Sequence, residues 1–300
     1  MRASVSINLS VARACFVRCS GCFNHFGKQK ELASSDAILT FLRYARERGV
    51  PRVTLCGGDP LARPDIMDLL ERIRELGLGI SLDTVGTALL GSTPTIFMGS
   101  VVVDAIDPAR LAALVDLIGI PVDGTSNEVV AMFRAGRKNL FTEQLQILGA
   151  LDRAHAVICV NTVLHRNNRS DVPRIASIIR GYPAIRKWQL FQFSPIGPLG
   201  YRHRETFVIT EDEFQEARSQ VEDACAREGY DGALEFKSNQ ERPSKYLMVD
   251  SEGIAYMHAS ASATPLRIVV GDIRRSQDHR QIVNVVLQPS RLRSVAGAGA

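Results

Sequence analysis

Along the first two thirds of the chain, short apolar runs alternate with stretches whose apolar positions recur at helical spacing. Residues 4–9, Ser-Val-Ser-Ile-Asn-Leu, alternate with a period of two and predict a strand. Ser34, Ser35 and Asp36 supply N-cap residues for a helix running to about 48, which Gly49 ends. Residues 52–56 predict a second strand, leading into Gly57-Gly58-Asp59-Pro60. A helix over roughly 64–76 carries Leu69, Leu70, Ile73 and Leu76 on one side. Four more strands are predicted at 79–83, 117–122, 156–163 and 187–193, with helices over about 139–153 and 171–180. Strands separated by helices are parallel βα units. Six of them in sequence suit an α/β fold, a partial (β/α)6 TIM barrel, which gathers function at the C-terminal ends of its strands. Segment 89–107, with Pro94 and the apolar run 96–103, interrupts the repeat and reads as an inserted strand or hairpin. After Phe193 the pattern changes to a Pro/Gly turn, a helix near 211–227 and short strands around 233–236 and 246–258. The organisation expected is a core over 1–193 and a small extension over 194–300 that completes the substrate site. Its Ala-Gly tail, about 290–300, is expected to be disordered.

Composition narrows the class without naming it. Three hundred residues, 45% hydrophobic and 23% charged, can bury a core without disulfide staples. No run of about 18 apolar residues predicts a membrane span. The first residues lead straight into a strand and show no signal-peptide core, so a cytoplasmic setting with reduced thiols is expected. The net charge of +4, from 36 basic and 32 acidic side chains, is scattered along the chain and argues against a nucleic-acid partner.

The six cysteines change the picture by where they fall. Three lie in Cys15-Phe-Val-Arg-Cys19-Ser-Gly-Cys22, while Cys56, Cys159 and Cys225 stand alone. In a reducing compartment such a triplet points to metal rather than to a disulfide. Thiolates suit zinc or an iron–sulfur cluster. Structural zinc wants four ligands, and the nearest further donor, His25, lies only three residues beyond Cys22. Three cysteines on a [4Fe–4S] cluster leave one iron open to a small molecule.

Cys15-x3-Cys19-x2-Cys22 followed by aromatic Phe23 resembles the signature of the radical S-adenosylmethionine (radical SAM) superfamily. Gly57-Gly58-Asp59-Pro60, ending the second strand, resembles that superfamily's Gly-Gly-Glu-Pro motif with Asp in place of Glu. The resemblance implies a [4Fe–4S] cluster on the three cysteines and S-adenosylmethionine as cofactor. Reductive cleavage of that cofactor would give a 5′-deoxyadenosyl radical, with a flavodoxin- or ferredoxin-type protein as electron donor. Among the later cysteines only Cys225 lies in the C-terminal region, which favours a single-cluster, small-molecule enzyme.

Within the superfamily, Asp123-Gly-Thr-Ser-Asn, Asn161-Thr-Val-Leu-His165, Trp188-Gln-Leu-Phe-Gln192 and Lys245-Tyr246-Leu-Met-Val-Asp250 resemble viperin-like nucleotide dehydratases. The residues before Cys15 depart from the viperin pattern, and Cys159 stands where that pattern tends to have lysine. The scaffold also resembles cytosylglucuronate decarboxylases and related tailoring enzymes of antibiotic pathways. The expectation is an enzyme of that tailoring class acting on an anionic nucleoside or sugar; a nucleoside-triphosphate dehydratase and a non-catalytic metal-binding protein are the alternatives.

The resemblance implies cofactor contacts from Phe23, Gly57, Gly58, Asp59, Pro60, Asp83, Thr84, Asn161 and Gln192. Tyr246 matches a tyrosine held to donate hydrogen in viperin-like enzymes, though it also begins an alternating strand and fits a core position. An anionic substrate needs cations and polar groups near the strand ends. Asn24, His25 and Lys28 follow the cysteine loop, Arg202 and Arg204 follow the turn after the sixth strand, and Lys237, Asn239 and Lys245 lie in the extension.

Overall fold

A computed structural model describes residues 6–23, 31–241, 246–258 and 267–287. The six predicted strands form, as β1 (Ser6–Ala12), β2 (Arg52–Gly57), β3 (Gly79–Asp83), β4 (Leu117–Pro121), β5 (Ile158–Leu164) and β6 (Ile185–Gln192). They lie side by side in chain order, each parallel to the next. The strands of the expected extension join the same sheet. β7 (Ala233–Lys237) pairs parallel to β6, and β8 (Tyr246–Val249) pairs parallel to β1 at the opposite end. β9 (Ile254–His258) and β10 (Arg267–Asp272) continue antiparallel from β8, giving the order β7-β6-β5-β4-β3-β2-β1-β8-β9-β10. The parallel run therefore holds eight strands rather than six, and it forms a partial barrel that is not closed by backbone pairing.

Helices cover the outside. They are α1 (Ser35–Glu47), α2 (Ile66–Glu75), α3 (Pro108–Leu114), α4 (Asn127–Phe133), α5 (Leu140–Arg153), α6 (Ile175–Ile179), α7 (Gly197–Arg202), α8 (Arg204–Phe207), α9 (Glu211–Glu228) and α10 (Ser276–Leu287). The predicted starts have physical causes: Ser34 Oγ caps α1 at Ala37 N, 3.2 Å away. Thr210 and Glu213 form a reciprocal capping box on α9, which ends at Gly229 in the left-handed conformation. The short helices α3 and α4 were not predicted; each begins at a side-chain cap, Asp107 or Ser126. Segment 89–107 contains the inserted hairpin, in which Thr93–Pro94 pairs with Val102–Val103. α10 lies against α1, where buried His279 packs edge-on to Phe41 and Tyr44 and bonds the carbonyl of Ile273.

Period-two alternation assigns each strand two faces. Ile7, Leu9, Val53, Leu55, Ile80, Leu82, Ile118, Ile120, Val160, Trp188 and Leu190 point outward and are fully buried under the helices. Buried Trp188 places its indole N–H on Thr162 Oγ1, 2.9 Å away, so its one polar atom is paired. The alternate residues face the barrel interior. Asn8, Thr54, Asn161, Lys187, Gln189, Phe191, Lys237, Tyr246 and Met248 are only partly buried, because their face borders a cavity rather than a core.

Candidate active site

The cysteine loop leaves the C-terminal end of β1 and is stitched to its neighbours through the backbone. Gly58 N donates to Ala12 O and Asp59 N to Ala14 O, each at 2.8 Å. A side chain at Gly58 would meet the carbonyl oxygens of Arg13 and Ala14 at 2.2 and 2.4 Å, so only glycine lets the two loops approach. Cys15 exchanges backbone bonds with the inserted hairpin: its N–H donates to Phe97 O, and its carbonyl accepts from Ile96 N, both at 2.9 Å. Arg18–Cys19 pairs with Arg134–Ala135 as a small antiparallel ribbon.

Burial pushes the Cys15 thiol up, and the Asp59 carboxylate and the other two cysteines add to the effect. Cys19 is raised by burial against the pull of Arg134, whose Nη1 lies 3.4 Å from its sulfur. Arg134 is itself held by the fully buried Asp123. Neither residue was singled out from sequence, although Asp123 opens a segment quoted there for its resemblance. Among the described residues no three His, Cys, Asp or Glu donors are gathered as a single metal ion requires. A cubane asks each sulfur to reach a different iron, so three soft donors on one loop beside a guanidinium fit a cluster.

Asp59 turns inward from its motif. Its carboxylate accepts from Thr84 Oγ1 and Val85 N, both at 2.7 Å, and from Leu61 N at 3.0 Å. Burial nonetheless pushes it up to about 6. The side chain thus ties the Gly57–Pro60 turn to the end of β3, and the Thr84 hydroxyl, which also accepts from Gly86 N, is engaged in the same knot. Gln192 is likewise committed to the protein. Its amide donates to the carbonyls of Ile209 and Thr210, and its oxygen accepts from Asn239 N at 2.7 Å. Asn239 also donates to Phe193 O at 3.0 Å.

Inside the barrel, one row of register runs Asp83, Gly119, Cys159, Lys187 across β3 to β6. Gly119 is the gap in that row. Asn161 Nδ2 reaches over it to Asp83 Oδ1 at 2.9 Å. A side chain there would sit 2.0 Å from Asp83 Oδ1 and 2.5 Å from Asn161 Nδ2. Asp83 is enclosed by the barrel yet open to its cavity. Burial pushes it up to about 6 against the pull of Asn161, Lys237 and Lys187. Cys159 lies beside this pair, its thiol pushed up to about 12 by burial and by Asp83.

A second network fills the side toward β7. Glu235 binds Lys187, accepts from Gln189 at 2.6 Å and pairs with Lys237 at 2.9 Å. Burial opposes the charge on Glu235, but these three donors bring it down to about 2. Lys237 Nζ then donates to the phenol oxygen of Tyr246, Oη, at 2.6 Å. Lys187, Gln189 and Glu235 were missed in the sequence, although polar residues at alternate positions of a parallel strand signal a lined interior. The remaining expectations fall elsewhere. Arg202 is exposed, and Arg204 is engaged by Glu205 and the Tyr201 carbonyl and ring. Phe23 lies partly exposed, its carbonyl 3.1 Å from where a side chain on Gly197 would start. Asn24, His25, Lys28, Lys245 and the 290–300 tail lie outside the described residues.

A partial barrel of parallel strands that carries a three-cysteine loop at the C-terminal end of its first strand, beside a polar interior, fits a protein built to hold a metal cluster. The family model for the radical SAM superfamily matches residues 9–179, and the chain belongs to that superfamily. Its cofactors are accordingly S-adenosylmethionine and a [4Fe–4S] cluster, which Cys15, Cys19 and Cys22 would hold. The chain is 22% identical to an S-adenosylmethionine-dependent nucleotide dehydratase of Thermoplasmatales archaeon (strain ISO4-H5), over 83% of this chain and 81% of that protein. It is 31% identical to a PqqA peptide cyclase of Methylorubrum populi (strain ATCC BAA-705 / NCIMB 13946 / BJ001), over 57% of this chain, and spans only 41% of that cyclase. Among solved structures, Streptococcus suis SuiB bound to S-adenosylmethionine matches with a TM-score of 0.65 at 13% identity, over 84% of this chain and 60% of that one. The AdoMet-bound anSMEcpe matches with a TM-score of 0.65 at 14% identity, over 92% of this chain and 79% of that one. Both likenesses bear on the fold. Among the described residues no helix is long and apolar enough to cross a membrane.

Proposed function

We propose that the protein abstracts a hydrogen from the sugar of a singly anionic nucleoside or sugar and drives an elimination, with decarboxylation of a cytosylglucuronate-type substrate as the favoured case, in a natural-product pathway. One observation carries this reading: the described barrel interior offers two ammonium groups, Lys187 and Lys237, and both are already shared with Glu235. That balance suits a single carboxylate better than a triphosphate. When bound, the cluster and S-adenosylmethionine supply the hydrogen-abstracting radical. Asp83 and Asn161, clamped to each other over Gly119, orient hydroxyl groups of cofactor or sugar. Lys187 and Lys237 bind the substrate anion. Tyr246, anchored by Lys237, holds a transferable hydrogen at its hydroxyl oxygen. The polyhydroxylated character of the substrate is supported by the amide, carboxylate and phenol groups that line the cavity.

Dehydration of a nucleoside triphosphate is the second reading, and the 22% identity to a nucleotide dehydratase favours it. A non-catalytic metal-binding role is the third. Anaerobically reconstituted protein, reduced with dithionite, separates all three when CTP and a cytosine glucuronide are offered in parallel. The expected result is 5′-deoxyadenosine formed with the glucuronide, together with carbon dioxide. Turnover of CTP alone would overturn the decarboxylase reading, and no 5′-deoxyadenosine with either compound or without substrate would support the third. Cys19→Ala is expected to abolish the cluster absorbance and turnover together; a variant that retained both would refute the ligand assignment.

A further inference from the structure

The two interior lysines share one carboxylate, and its two oxygens are used differently. Glu235 Oε2 takes Lys187 and also accepts from Gln189 Nε2 at 2.6 Å. Gln189 stands directly across from Glu235 in the β6–β7 register, so backbone pairing fixes this side of the carboxylate. Oε1 takes Lys237 alone, at 2.9 Å. Lys237 lies two residues further along β7 on the same face, and it divides its ammonium between Oε1 and the Tyr246 phenol. The Glu235 side chain keeps 39% of its surface exposed and that of Lys237 15%, so this pair is open to exchange rather than sealed in a core.

A carboxylate that occupies the cation a substrate needs stands in for the substrate's own charge. We propose that Glu235 is a specificity-determining residue that sets the charge of the anion the site accepts, yielding Lys237 to a single carboxylate and repelling a polyphosphate. An incoming carboxylate replaces Oε1 on Lys237 and keeps the Tyr246 phenol beside it. Oε2 meanwhile keeps Lys187 and Gln189. Two lysines then face two carboxylates, and no charge of the network is left unpaired. Each further phosphate would set negative charge beside Glu235 with no cation of the network left to meet it. Asp83, close enough for both lysines to act on its carboxyl, adds to that repulsion. The inference rests on the proposed binding of the substrate anion by these lysines and not on which bond the radical breaks.

Calorimetry on the reconstituted holoenzyme with S-adenosylmethionine, without reductant, tests it with a cytosine glucuronide and with CTP. The parent is expected to bind the glucuronide at least about tenfold more tightly than CTP. Glu235→Gln keeps the shape of the side chain and removes its charge. It should tighten CTP binding by about tenfold or more, while the glucuronide changes by less than about threefold. The gain for CTP should shrink with added salt. Glu235→Asp, which keeps the charge, should retain the parent's order of ligands. A parent that prefers CTP, or equal changes for both ligands in Glu235→Gln, would overturn the proposal. So would loss of the order in Glu235→Asp, which marks shape rather than charge as the determinant. No binding of either ligand to parent or variant would sink the anion site and this proposal together. Glucuronide that binds as expected yet gives no 5′-deoxyadenosine on reduction would refute the decarboxylation reading alone.

Discussion

At the scale of a single residue, the interior of the barrel turns on a side chain that is absent. Gly119 lets Asp83 and Asn161 meet across β4, and every other residue would push them apart. Gly119→Ala is expected to lower 5′-deoxyadenosine formation by about tenfold or more, since small displacements of positioning groups are costly. Thermal unfolding should separate this effect from a loss of fold: a variant melting close to the parent but retaining full activity would show that the contact is idle. Asp83 also links proton binding to stability. Burial holds it at about 6, above its ordinary 3.8, so between these values the folded chain keeps a proton that the unfolded chain has lost. Stability therefore falls as pH rises from about 4 to about 6 and levels off above that. Asp59 contributes with the same sign, also at about 6. In Asp83→Asn the decline should be shallower, as read from urea midpoints at several pH values; an unchanged slope would refute the shift.

Single-residue chemistry was legible in part. The cysteines announce themselves because ligand spacing is local in sequence. Asp83 and Asn161 were assigned to one site, but their direct contact depends on a glycine from a third strand, which no local pattern reports. Asp59 and Gln192 show the converse. A polar residue in a motif or at a strand end reads as a ligand contact, and the structure adds a role that pattern does not report: these two satisfy buried backbone and hydroxyl groups.

At the scale of the element, capping chemistry carries most of the prediction. Helices α1, α5 and α9 were placed within a residue or two because Ser34 and Thr210 bond the first turn and the apolar positions keep one face. Thr210→Ala removes the acceptor for Glu213 N and half of the capping box, and should destabilise the protein by about 1 kcal/mol. Chemical denaturation would check this, and a change near zero would show that α9 is held by packing alone. Helices α3 and α4 escaped prediction because each is seven residues long, too short to display a repeating apolar face. The hairpin in segment 89–107 was expected in kind, while its position over Cys15 follows from contacts distant in sequence.

At the scale of the whole molecule, the sequence reading placed the core in the first 193 residues and an appendage after them. The architecture differs because a strand's sheet neighbours are chosen by long-range pairing, to which local periodicity is blind. β7 and β8 read as short extension strands, yet they flank the two ends of the parallel run. Nine positions apart in the chain, Lys237 and Tyr246 meet across the seam of the open barrel. The seam is thus spanned by side chains that also face the cavity, so that the groups proposed to bind substrate are the ones that draw the two ends of the sheet together.

The pairing of β1 with β8 sets an order of events during synthesis. β1 emerges from the ribosome first among the described strands, and the partner that covers its free edge follows more than 230 residues later. At about 5–20 residues per second, that edge stays bare for tens of seconds. Through that interval the nascent chain presents one unpaired edge of β1, whose other edge is taken by β2, next to the three thiols of the cysteine loop, and is open to misassembly with its neighbours. Expression slowed late in the message would lengthen that exposure, whereas co-expression with cluster-assembly factors and chaperones acts on the interval itself.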